Sequence, residues 1–110
     1  MSRLRYFSKR LHHDMDKLTT TIKRQFLREI VAKRKRVEYR EIKPYWERRL
    51  QRIRVLFRLR LINGMSSTAP EATVVISRIV RNSKRGTFDL HIKRVEHVLN
   101  WDKRREEPSL

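Results

Sequence analysis

The chain has 110 residues, no cysteine, and 29 Lys plus Arg against 12 Asp plus Glu, for a net charge of +17. That length holds one compact domain with a small core. The missing cysteines exclude a disulfide framework and a thiolate zinc site, and no apolar run reaches the length of a membrane span. The charge is one-sided: residues 1–60 hold 20 bases and 6 acids, a net +14. Such a field draws in polyanions. RNA is the expected partner, DNA a possible one, and no membrane is expected.

Residues 1–16 place Leu4, Phe7, Leu11 and Met15 at helical spacing, which predicts a short basic N-terminal helix. Its neighbouring His12 and His13 point in different directions on a helix and make a poor metal pair. The N-terminus is basic, but no continuous apolar segment follows it, so no secretory signal is expected and the assigned location is cytoplasmic. The β-branched run Lys17 to Ile22 reads as a strand. Residues 23–33 carry Phe26, Leu27, Ile30 and Val31 as a helical stripe.

The run Lys33-Arg34-Lys35-Arg36-Val37-Glu38-Tyr39-Arg40 follows. Over residues 36–42 it reads as a strand. Alternation predicts Val37 and Tyr39 facing the core, with Arg36, Glu38 and Arg40 on the polar face. Pro44 suits the first turn of a helix, and Trp46, Leu50 and Ile53 give that helix an apolar side. Phe57, Leu59 and Leu61 alternate with Arg58 and Arg60, a strand with one apolar face. Asn63-Gly64 ends it, and residues 65–71 read as a loop. Residues 72–81 form another strand, 82–86 a turn, and Phe88, Leu90 and Ile92 begin the second arm of an antiparallel hairpin. The tail, residues 102–110, is polar and expected to fray.

This order predicts an α+β domain over residues 17–101: a small β-barrel, or a strongly bent mixed sheet, of about five to six strands with two to three short helices. No internal repeat occurs. His91 and His97 are too far apart in the pattern to propose as ligands. No metal site, cofactor, phosphate-cradling glycine loop or catalytic triad is expected.

A helix, then G-x-K-x-x-E-x-R running into a strand, then a short helix and a β-meander, resembles the ASCH domain of the PUA-like group. Here the motif stands as Lys33-x-Lys35-x-x-Glu38-x-Arg40, with FLREIVAKRKRVEYREIKPYWERRL around it and FRLRLINGM and HIKRVEHVLNW after it. The resemblance covers roughly residues 17–101. It departs at Lys33, which stands at the family's glycine position, where glycine permits a left-handed turn that lysine adopts at some cost.

The resemblance implies a cleft beside the motif for RNA or a nucleotide-like ligand. Its ligand-binding candidates are Lys33, Lys35, Arg36, Glu38, Arg40, Lys43, Arg58, Arg60 and Asn63. It also implies an alternative. Some small bacterial members remove the acetyl group from acetylcytidine and a nuclease activity has been attributed to others, so the alternative is an amidohydrolase on acetylated cytidine or a metal-independent ribonuclease. Lys35 and Glu38 are then the catalytic candidates, although the amidohydrolase members carry threonine where this chain has Glu38.

Each candidate has a plainer reading. Lys35 sits in a basic run, and Glu38 can pair with Arg40 or Arg36. Arg58 and Arg60 suit a solvated sheet face, and Asn63 suits a turn. Tyr39 and Trp46 can stack on bases, but their spacing assigns them to the core. A basic assembly factor with a vestigial cleft is the third reading.

Overall fold

A computed structural model describes residues 15–109. The expected N-terminal helix, with His12 and His13, lies outside those residues except at its end, where Asp16 already begins a strand. The elements are β1 (Asp16–Thr21), α1 (Arg24–Val31), β2 (Val37–Glu41), α2 (Pro44–Gln51), β3 (Phe57–Ile62), β4 (Glu71–Asn82), β5 (Thr87–Leu99), β6 (Trp101–Asp102) and β7 (Glu107–Pro108). This is the expected α+β fold, with helices and strands in the expected order.

Five strands form one mixed sheet in the order β1-β3-β4-β5-β2. Only β1 and β3 run parallel, from Asp16 beside Phe57 to Thr21 beside Ile62. The long β4 and β5 shift register between Thr73 and Val74, Val75 and Ile76, and Ile76 and Arg78. Such irregularities increase twist and bend the ribbon, and the sheet curls into a half-barrel. Phe57, Leu59 and Leu61 of β3, Val74 and Ile76 of β4, and Leu90 of β5 are fully buried. Leu27 and Ile30 of α1 and Trp46 and Leu50 of α2 join that core.

The strongly bent mixed sheet is the form the fold takes: β1 and β2 are its two edges and do not pair. Side chains tie them instead. Arg40 Nη2 on β2 donates to the Thr21 carbonyl of β1 at 2.9 Å, and Arg49 Nη2 on α2 donates to the Thr19 carbonyl at 3.1 Å. Charged side chains satisfying an exposed edge are a common guard against strand addition. Here they also leave an opening where the barrel would otherwise seal.

The chain enters β2 through a turn that closes α1. Ala32 N–H donates to the Arg28 carbonyl, and the Arg34 and Lys35 N–H groups both donate to the Glu29 carbonyl, all within 3.0 Å. Lys33 has φ +64°, so the left-handed turn of the motif is made despite its Cβ. Lys33→Gly is expected to raise stability by up to about 1 kcal/mol, the left-handed penalty less the extra unfolded-state entropy of glycine. A higher urea midpoint with unchanged slope is the readout.

The tail differs from expectation. Rather than fraying, β6 pairs with β7, Trp101 beside Pro108, and Trp101 is buried in the main core. Arg28 Nε donates to the Glu106 carbonyl at 3.0 Å, and Arg34 pairs with the Glu106 carboxylate, so the hairpin clamps onto α1. Among the described residues, no helix is long and apolar enough to cross a membrane.

Candidate nucleic-acid interface

A cleft of about 660 Å³ occupies the opening between β1 and β2. Thr21 and Ile22 from the end of β1 form one side, and Glu38 to Glu41 of β2 the other. Phe26 from α1 and Trp46 from α2 flank it. Phe26 belongs to the apolar stripe of α1 but lies at its margin and stays 39% exposed.

The alternation expected for β2 is present, but its direction is inverted. Glu38 is 4% exposed, and Tyr39 is 39% exposed. Glu38 lies opposite Leu90, and Arg40 opposite Phe88, so the polar face of β2 lies beside core side chains of β5. The reason is the open edge. The concave side at β2 is the cleft, not the sealed core, and a carboxylate there is neutralised locally. Arg40 Nε donates to Glu38 Oε2 at 2.8 Å, and Lys35 Nζ lies 3.7 Å from Oε1. Buried charges are retained when paired and hydrogen-bonded in this way.

The two oxygens of Glu38 are not equivalent. Oε2 is held by Arg40, itself fixed by Thr21 and lying 5.3 Å from the Trp46 ring centroid. Oε1 accepts no hydrogen bond among the described residues, and 3.7 Å from Lys35 is an ionic contact beyond hydrogen-bond range. Lys35 Nζ rests 4.7 Å from the Tyr39 centroid and 5.3 Å from that of Phe26. Such ring faces hold an ammonium by cation–π attraction without using its N–H donors on oxygen. The cleft therefore presents one uncommitted acceptor and one uncommitted donor side by side.

The expected ligand residues divide into three groups. Lys35, Glu38, Arg40, Lys43 and Asn63 line the cleft. Asn63 is spent on structure: Nδ2 donates to the Ile22 carbonyl at 2.9 Å, and Oδ1 accepts from Arg24 Nε at 3.1 Å. Lys43 is exposed at the rim, 3.4 Å from Glu41. Lys33 and Arg36 lie outside the cleft, on a smaller groove behind the motif. Arg58 and Arg60 do not reach the cleft. Arg58 Nε donates to Glu96 at 2.7 Å, and Arg60 makes a two-pronged pair with Glu71 at 2.7 and 2.8 Å.

Phe26 and Tyr39 are the cleft residues that periodicity misplaced. The usable signal was their place around the motif: both flank Lys35, which needs ring faces if it is to stay free of a carboxylate bond. Among the described residues, no three His, Asp or Glu side chains gather as a metal site.

The outer ion pairs set an acid limit. Hydrogen bonding from Arg60 holds the Glu71 carboxyl below its usual range, and Arg58 and then Arg94 do the same for Glu96. A carboxylate whose pKa is depressed on folding stabilises the fold fully above its unfolded pKa and loses that stabilisation as pH falls through the folded value. The urea midpoint is therefore expected to fall from about pH 4.5 downward. Arg60→Ala is expected to flatten that acid limb and leave the Glu96 contribution.

No protein-family model matches the chain, and no curated protein matches it.

Proposed function

We propose that the protein binds single-stranded RNA or a nucleotide-like ligand, with one base seated in the cleft, as an ASCH-like member of the PUA-like group. The observation that carries this reading is Glu38: a buried carboxylate with one oxygen fixed by Arg40 and the other open beside Lys35. Every nucleobase places a hydrogen-bond donor next to an acceptor on its pairing edge. The cleft volume falls within the range of about 300–1,000 Å³ usual for small-ligand sites. Its flanking rings offer the stacking surface that single-strand binders use. The left-handed Lys33 turn and the convergence of Lys35, Glu38 and Arg40 support the ASCH-like assignment.

Binding of a labelled oligouridylate, followed by fluorescence anisotropy, tests it. With three or so phosphates neutralised, affinity is expected to fall roughly tenfold or more between about 50 and 200 mM salt. Salt-independent binding, or none, would sink the proposal.

The open oxygen of Glu38 also favours hydrolysis of acetylcytidine as a second reading. Glu38 would take a proton from water, the resulting hydroxide would attack the acetyl carbonyl, and Lys35 would stabilise the oxyanion. Collapse would expel the exocyclic nitrogen, which takes up the proton, giving cytidine and acetate. Chromatography of acetylcytidine incubated with the protein, with Lys35→Ala and with Glu38→Gln decides this. Turnover unchanged in either variant removes that residue from the reaction.

A further inference from the structure

We infer that the smaller groove behind the motif is a phosphate site for the strand whose base occupies the cleft, so that the ligand is an oligonucleotide rather than a free nucleoside. The inference rests on the proposed cleft and extends it. The groove, about 250 Å³, lies between the end of α1 and β5. Its apolar lining includes Ile30 and Ile92, its rim carries Lys33, Arg36 and Lys93, and no carboxylate lines it.

Three observations converge. First, Lys33, Arg36 and Lys93 gather at one groove that no carboxylate lines, and none of them makes an ion pair among the described residues. Three like charges at one groove repel one another, and an anion that joins them relieves that repulsion, an effect screened by salt because all three are exposed. Second, Lys33 holds φ +64°, a backbone cost that glycine would remove. A side chain kept at that cost motivates a functional test of Lys33. Third, Lys35 lines both the cleft and the groove, so a strand can pass from one to the other across a single ammonium.

The carbonyls at the end of α1 would oppose an anion. They are largely satisfied by the N–H groups of residues 32–35, which leaves the cations to decide the local field. A groove this small and this basic suits a phosphate with part of a ribose, not a second base.

Titration calorimetry with uridine monophosphate and with oligouridylates of two, four and six nucleotides tests the inference, using the intact chain and an Arg36→Glu/Lys93→Glu double variant. Lys33, Arg36 and Lys93 are all exposed. The hexamer is expected to bind at least about tenfold tighter than the monophosphate. The double variant is expected to abolish that gain and to lower the salt slope by about 0.7 for each phosphate it no longer neutralises. Its affinity for the monophosphate is expected to stay within about twofold, since the charges of the cleft are untouched and screening weakens the rest. Lys33→Gly, which relieves strain, is expected to weaken hexamer binding while raising stability.

A hexamer that binds no tighter than the monophosphate overturns this inference and leaves the cleft standing. So does a double variant that keeps the length dependence. Failure of both ligands to bind the intact chain overturns the cleft and the groove together.

Discussion

Glu38→Gln is expected to lower affinity for uridine monophosphate by about tenfold or more and stability by about 2 kcal/mol, the worth of a hydrogen bond to a charged group. Two cations meet at this side chain. Arg40 bonds it directly, and Lys35 stands 3.7 Å away. With a neutral amide in its place, Arg40 keeps at best one weaker hydrogen bond, and both cations lose their counter-charge. The cost stays below the roughly 3–5 kcal/mol of a fully buried broken pair, because the site opens onto the cleft and water can partly rehydrate both cations. Affinity falls for a different reason. Glutamine can turn its NH2 toward the ligand, replacing the single open acceptor with a donor beside another donor. Glu41→Gln is the matched control: it lies further along the same strand, exposed and paired only with exposed Lys43. It is expected to change stability by less than about 0.5 kcal/mol. Equal effects of the two substitutions on binding would show that net charge near the cleft matters and that the Glu38 geometry does not.

The places where sequence pattern succeeded and failed around this residue have a common cause. Period-two alternation correctly put Glu38 and Arg40 on one face and Tyr39 on the other, and the motif correctly brought Lys35 to them. Pattern alone assigned the apolar face to the core, which holds for a strand whose inner face is sealed. β2 is an edge strand at the mouth of a half-barrel, and no local signal in its own residues reports that β1 fails to pair with it. That depends on the curl of β4 and β5, which is set by register shifts along both long strands. The same long-range information was missing for Arg58 and Arg60. Their partners Glu96 and Glu71 lie 38 and 11 residues away in sequence, so the pairing that removes them from a phosphate track is invisible in the strand itself. The Lys33 turn was flagged only through the family resemblance, which left its shape with lysine open. It is closed by hydrogen bonds among residues 28–35, and the glycine preference at that site is a local steric fact.

The tail was misread because polar composition hid one anchor. Residues 102–109 are charged almost throughout, and the expectation of fraying followed from that. Trp101→Ala is expected to cost about 3–5 kcal/mol, as for other buried large-to-small aromatic truncations. Its ring is 8% exposed and packs in the same core as Leu27 and Ile30 of α1. The hairpin it anchors carries Glu106, whose carbonyl and carboxylate take Arg28 and Arg34. Loss of the ring therefore frees the turn that sets Lys33 and Lys35 as well as opening a cavity. The chain has two tryptophans, so the variant leaves Trp46, beside the cleft, as the single indole reporter of urea unfolding. A lower midpoint with an unchanged slope is the expected trace, and the hexamer should lose more affinity than the monophosphate, because the groove depends on that turn more directly than the cleft does. A cost below about 0.5 kcal/mol, the size of a surface substitution, would mean that the hairpin does not dock on the core and that α1 ends without its clamp.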